Sequence, residues 1–404
     1  MMKMTNTDTT PYKYGPFLDL GLAATTPYPL NIKINSAEGV WLNCENRGRL
    51  FDAISGIGVS NFGHGHPYIK AALHEQIEKN LHTMVYGEFH HESTIEAASL
   101  LSSFLPDNLD TVYFVNSGTE AIEGALKLSK RITGRHRMIA CIGGYHGNTA
   151  GSLSVSSNSE RKAPFLPLLP EVSFITFNDI QSLSEIDDSI SCVIIETIQG
   201  DAGVIVPSEA WMIKLREVCS KNGVTLIFDE IQCGMGRSGR PFAFTEYKVT
   251  PDILCVGKAL GGGMPIGAFV SSRANMKLLS NNPVLGHITT FGGHPVTCAG
   301  AVAALKLLKD IDFVALERRC DMWEQKLSSH SSVKCVRRNG AFFAIELKDA
   351  ETTSRVILKG LEIGVLMFWF LSVPSAFRLS PPLSMSDEEA EIGIAMILEA
   401  LNVA

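Results

Sequence analysis

Between about residues 111 and 295, short apolar runs alternate with amphipathic stretches. The runs TVYFVNSG, RMIACIGG, VSFITFN, SCVIIETI, VTLIFDEI and DILCVGKA are rich in β-branched and aromatic residues and read as strands. GTEAIEGALKLSKRI and SEAWMIKLREVCSKNG carry apolar residues at helical spacing, and Gly223 closes the second. Such alternation predicts a mostly parallel sheet with helices on both faces. Upstream, residues 31–54 show short alternating runs around a polar ENRG turn, which predicts a small antiparallel element. HPYIKAALHEQIEKNLHT then reads as a helix opened by Pro67, with Ile69, Leu73, Ile77 and Leu81 on one face.

After about 295 the pattern changes. Two helical stretches, PVTCAGAVAALKLLKD and VALERRCDMWEQKLSS, precede a strand AFFAIEL, a helix SRVILKGLEI and a strand VLMFWFLSV at 365–373. A last helix opens on SDEE, a capping box of Ser386 and Glu389. The expected division is an N-terminal segment to 55, a large domain over 56–298 and a smaller C-terminal α/β domain over 299–404. No internal repeat or low-complexity linker interrupts it.

Composition narrows the function classes. The chain has 404 residues, and its net charge of −7 argues against nucleic acid or an anionic membrane as the main partner. VLMFWFLSV is far short of the roughly 20 apolar residues that span a bilayer. MMKMTNTDTTPYKYG has no apolar core, so no signal peptide is expected. The nine cysteines are scattered without a C-x-x-C pair, the usage of a reducing cytoplasm. His64, His66, His90 and His91 lack metal-ligand spacing and a carboxylate set, so no metal is expected.

The chemistry-bearing residues collect at strand ends, where open α/β sheets bind ligands. TLIFDEIQ ends in Asp229, Glu230 and Gln232. VYFVNSGTE ends in Asn116, Ser117, Gly118 and Thr119 at a helix start, a place suited to a phosphate, although by itself SGT is an ordinary N-cap. MIACIGGYHG leads to Tyr145 and His146. ILCVGKALGGG ends a buried strand on Lys258, with glycine on both sides. A phosphate cup, an aromatic ring, an acid and a lysine on one rim suit a phosphorylated aromatic aldehyde, pyridoxal 5′-phosphate, with Lys258 as its Schiff-base lysine.

With those residues in place, the sequence resembles the class III (subgroup II) pyridoxal-phosphate aminotransferases, the family of the acetylornithine, ornithine and 4-aminobutyrate enzymes. The resemblance runs from GIGVSNFGHGHP at 56–67 to RLSPPL at 378–383, and is most specific in LIFDEIQCGMGRSG…PDILCVGKALGGGMPIGA at 226–268. It implies fold type I, the aspartate-aminotransferase architecture. It implies that Ser117, Gly118 and Thr119 lie at the phosphate, that Tyr145 stacks on the ring, and that Asp229 pairs with the ring nitrogen. Gln232 would lie near the ring hydroxyl. Thr290, in HITTFGGHP, would reach the phosphate of a neighbouring subunit, which implies a homodimer with shared sites. Arg378 would hold the carboxylate of 2-oxoglutarate or glutamate. The implied activity is transfer of an amino group from an acetylornithine-like or ornithine-like donor to 2-oxoglutarate. Alternatives are another ω-amino acid or diamine donor such as 4-aminobutyrate or putrescine, or a mutase, racemase or decarboxylase on the same fold. A ligand sensor built on this fold would normally add a DNA-binding module, for which the short N-terminus leaves no room.

Two positions depart from the family's pattern. Asn148, in YHGN, stands where the related enzymes place an arginine that docks the donor's far carboxylate. Asp201, in ETIQGD, stands where they place a glutamate that can neutralise the substrate-binding arginine. Arg161 and Lys162, in NSERKAP, are the bases nearest in sequence that could replace the missing arginine.

Overall fold

The computed structural model describes residues 29–404 apart from 46 and 86, together with 23, 25 and 26. The N-terminal stretch read for a targeting signal, and Asn46 of the ENRG turn, lie outside the described residues.

The core is a seven-stranded sheet. Its strands are β4 (Thr111–Val115), β5 (Arg137–Cys141), β6 (Val172–Ile175), β7 (Ile190–Glu196), β8 (Thr225–Asp229), β9 (Ile253–Val256) and β10 (Gly267–Ser271), ordered β4-β10-β9-β8-β7-β5-β6. Every residue of β7, β8 and β9 is buried, as expected of parallel strands covered on both faces. Six of these strands follow from the sequence pattern. The remaining one, β10, lies antiparallel between β4 and β9. Its opening glycine blurs the strand signal, yet a side chain at Gly267 would collide with the Ser117 carbonyl. The glycine is what lets β10 lie against the start of the helix Gly118–Thr133.

A second sheet joins β1 (Ile34–Glu38), β2 (Trp41–Cys44) and β3 (Gly48–Asp52), with β13 (Val365–Leu366) added parallel to β3. A third, antiparallel sheet is ordered β11 (Cys335–Asn339), β12 (Phe342–Glu346), β15 (Ala376–Leu379) and β14 (Phe368–Trp369). The run at 365–373 is therefore not one strand. Its first pair completes the N-terminal sheet and its next pair edges the C-terminal one, with buried Met367 between them. One apolar core consequently contains Phe51 and Ala53 with Trp323, Phe343 and Ile394. The last helix, Asp387–Leu401, begins with the expected capping box.

The helix Pro67–Lys79 departs from its pattern. Ile69 is buried, but Ile77 is 44% and Leu81 59% exposed. The helix stops before Leu81, and Ile77 and Leu81 line an open surface hollow with Phe291.

Arg237 fastens the three sheets together. It is wholly buried, and its guanidinium donates to the carbonyls of Ala341 (2.9 Å) and Pro381 (2.7 Å) and to Asn61 Oδ1 (2.5 Å). No carboxylate among the described residues pairs with it, so these oxygens carry the compensation for burying its charge. Arg237→Ala strands those acceptors and leaves a cavity, and a loss of about 3 kcal/mol or more is expected as a lower urea midpoint. Arg237→Lys recovers little of it, because an ammonium cannot reproduce the planar fork.

Candidate active site

β9 leads straight into the site. After Val256, extended Gly257 gives way to Lys258, whose φ of +47° is left-handed. That conformation costs a residue with a side chain roughly 1–2 kcal/mol. It turns the chain sharply at the sheet edge, and Lys258 then lines a cavity of about 270 Å³. Gly118, Thr119, Tyr145, Asn148, Asp229 and Gln232 line the same cavity, so most of the residues expected at the site converge there. Burial pulls the Lys258 amine down to about 8; the Asp229 carboxylate opposes this and the Arg378 guanidinium reinforces it.

Asp229 ends β8 almost fully buried. Its Oδ2 lies 2.7 Å from His146 Nδ1, and its Oδ1 accepts from the Ile231 N–H at 3.0 Å. The sheet register places Glu196 of β7 beside it. Glu196 accepts from the backbone of Tyr145 (3.0 Å) and of Gly200 (2.9 Å), and burial raises its carboxyl to about 7. Glu196 and His146 are site residues that the sequence reading gave no role. The signal available for Glu196 was its position as the last residue of a strand, the same position as Asp229.

At the other end, Ser117 caps the helix Gly118–Thr133, its Oγ accepting from the Glu120 N–H. The first amides of a helix have no intrahelical acceptor, which leaves those of Gly118 and Thr119 for an anion. A Cβ on Gly118 would come within 2.9 Å of Ile231, so only glycine fits between that side chain and the cavity. Thr119 Oγ1 is held in a hydroxyl cluster with Thr149 (2.7 Å) and Ser152 (2.6 Å). Glu123 anchors that cluster by accepting from Thr149 Oγ1 at 2.6 Å and from the Gly151 N–H at 2.8 Å.

The cavity suits a phosphorylated aromatic aldehyde. Gln232 Nε2 and His146 Nε2 are buried without a hydrogen-bond partner among the described residues, so polar groups wait on the cavity side and behind Asp229. Amides at one end, a carboxylate at the other and an amine between match the groups such a molecule carries.

Arg378 and Asp201 lie beyond this cavity and meet each other. Arg378 Nη2 is 3.2 Å from Asp201 Oδ1, both side chains being almost fully buried. Arg378 Nε donates to the Trp369 carbonyl at 3.1 Å, and the guanidinium lies 4.6 Å from the Phe370 ring centre. Asp201 also accepts from the Leu371 N–H (2.8 Å) and the Ser372 hydroxyl (2.6 Å). The shorter acid therefore still reaches the arginine. Asn148 donates to the Tyr145 hydroxyl at 3.1 Å. Thr290 is exposed and does not line the cavity of its own chain. Its neighbour Thr289 is tied to the strand end by Asn116 Nδ2 at 3.0 Å.

Comparison with known proteins shows the family and the fold. The family model for class-III aminotransferases matches residues 23–401. An acetylornithine aminotransferase of Methanopyrus kandleri is 36% identical over 380 residues, covering 93% of this chain and 95% of that protein. The crystal structure of an ornithine aminotransferase from Toxoplasma gondii superposes with a TM-score of 0.88 at 29% identity, covering 95% of this chain and 93% of that one. A second structure of that enzyme, with partial occupancy of pyridoxal phosphate at its active site, superposes at 0.87 with 30% identity over 96% and 93% of the two chains.

The depressed amine makes a direct prediction. In cofactor-free protein, acetylation of Lys258 by acetic anhydride, followed by mass spectrometry across pH, should reach half its plateau near pH 8. Surface lysines should do so near 10.4. Asp229→Asn removes a charge that favours the ammonium, so the Lys258 midpoint should move lower still.

Proposed function

This chain belongs to the class III aminotransferases, pyridoxal-phosphate-dependent transaminases of fold type I, and we propose that it moves an amino group from an acetylornithine-like or ornithine-like donor to 2-oxoglutarate, giving glutamate. The observation that carries the acceptor assignment is the buried pair of Arg378 and Asp201. An arginine held out of water against a carboxylate is ready to exchange that partner for a substrate carboxylate, and Asp201 keeps the charge neutralised when none is bound. The similarity to an acetylornithine aminotransferase supports the donor.

Pyridoxal phosphate supplies a carbonyl for the incoming amine and a ring that accepts electrons. In this reading Lys258 Nζ would hold the cofactor and would be the group that carries a proton at its reactive carbon. Its low pKa serves both roles, because the neutral amine is the nucleophile and the base. Asp229, held in place by the His146 ring and the Ile231 amide, would pair with the ring nitrogen. Tyr145, fixed through its backbone by Glu196, would stack on the ring, and Gln232 would donate toward the ring hydroxyl. Ser117, Gly118 and Thr119 would hold the phosphate, joined by Thr290 from a second copy.

The second copy has a surface to sit on. Exposed Ile77, Leu81 and Phe291 line one surface hollow with Met264, and exposed Phe89 and Ile95 line another that shares its loop. A patch of this kind is covered in a homodimer. No helix among the described residues is long and apolar enough to cross a membrane, and all nine cysteines are unpaired, which supports a cytoplasmic enzyme.

A second reading rests on Asn148. Its neutral amide is engaged by the Tyr145 hydroxyl, and this favours a donor without a carboxylate at that end, such as a diamine. Glutamate release from 2-oxoglutarate with acetylornithine, ornithine, 4-aminobutyrate and putrescine separates the two. Acetylornithine should show the highest kcat/KM, whereas a preference for putrescine would establish the second reading instead.

Arg378→Ala should slow the single-turnover half-reaction with 2-oxoglutarate roughly tenfold to hundredfold, the worth of a charge-assisted contact. The half-reaction with the donor should change far less. Equal losses in both halves would mean that Arg378 serves both substrates or only the fold.

A further inference from the structure

A cation from another segment, Arg161, stands beside Asp201. Arg161 sits in the short turn Ser159–Lys162, which is capped by Asn158 Oδ1 on the Arg161 N–H at 3.1 Å. Its Nη1 lies 3.8 Å from Asp201 Oδ2, the oxygen opposite the one that holds Arg378 at 3.2 Å. One carboxylate thus stands between two guanidiniums. Arg378 is buried, while the Arg161 side chain is 31% exposed. Burial raises the Tyr145 hydroxyl, and the Arg161 charge pulls it back down, so that charge is felt at the hydroxyl to which Asn148 donates.

Arg161 is also under-used. Among the described residues no hydrogen bond takes up its guanidinium, and its ion pair with Asp201 is longer than a hydrogen bond. Lys162, the other basic residue of the segment, is committed elsewhere. Its Nζ donates to the Ser154 carbonyl at 3.0 Å and lies 4.4 Å from the Phe174 ring centre.

We propose that Arg161 is the specificity-determining cation that docks the second carboxylate of the substrate, the one remote from the transferred amino group, in place of an arginine at position 148. This rests on the transaminase reading above. A substrate carrying a carboxylate at each end engages Arg378 with one and Arg161 with the other, and both leave Asp201, which keeps the Leu371 amide and the Ser372 hydroxyl as partners. A ligand that lacks the remote carboxylate, such as butyrate, engages Arg378 alone and leaves the Arg161–Asp201 contact in place. Preference for dicarboxylic partners over monocarboxylic ones then comes from Arg161.

The test uses ligands that cannot react. Glutarate is butyrate with a second carboxylate on its terminal carbon. Each is titrated into the cofactor-loaded enzyme by calorimetry. The wild type should bind glutarate at least about tenfold more tightly than butyrate, and Arg161→Gln should remove most of that preference while leaving butyrate affinity nearly unchanged. Arg161→Lys should keep part of the preference, since it retains the charge without the fork. If Arg161→Gln weakens both ligands equally, Arg161 only supports Asp201 and Arg378, and the proposal falls. It falls also if the wild type shows no preference, or if Arg161→Gln leaves the preference intact. Because neither ligand reacts, absence of nitrogen transfer to 2-oxoglutarate would sink the proposed reaction and leave the binding result to judge Arg161 separately.

Discussion

Asp229 and Glu196 end adjacent parallel strands in register, side by side and out of water, and the rest of the site is arranged around that fact. Two dry carboxylates repel each other and cost several kcal/mol each unless compensated. They are compensated differently. Asp229 has the His146 ring and the Ile231 amide, while Glu196 has two backbone amides, those of Tyr145 and Gly200. Lys258, just past the end of the next strand, adds a positive charge whenever it is protonated. Slipping β8 by one residue would turn Asp229 away from all of these, so the buried sheet and the site specify one register together.

Lys258 meets this arrangement through a local cost. A left-handed lysine is unfavourable, and its dry surroundings also disfavour the ammonium. The same two penalties leave a reactive amine at the edge of the sheet near neutral pH. Glycines at 118 and 267 allow the strand end, the helix start and β10 to crowd together beside it.

The substrate side is built from other parts of the chain. Arg378 belongs to the C-terminal antiparallel sheet, whereas Asp201 follows β7 of the central sheet. Their ion pair, with the Leu371 amide and Ser372 hydroxyl also on Asp201, joins the two beyond the cavity. Asp201 reaches the Leu371 amide, the Ser372 hydroxyl and Arg378 at once, despite its short side chain.

Much of this was legible in the sequence because its determinants are local. Strand periodicity predicted six strands of the central sheet, and placed Asp229, Lys258 and the Ser117–Thr119 turn at their ends. The family resemblance then singled out Arg378 and the departures at 148 and 201. What stayed hidden depends on segments far apart in the chain. Periodicity cannot divide 365–373 between two sheets, because that division is made by pairing with Phe51 and with Phe377. It cannot place β10 either, whose glycine start is explained only by the Ser117 carbonyl above it. Nor can it pair His146 with Asp229, or bring Arg161 and Arg378 onto one carboxylate. Secondary structure follows from nearest neighbours along the chain, but the partner of a buried charge is whichever group the packed fold brings within about 3–4 Å. Only the tertiary structure decided that.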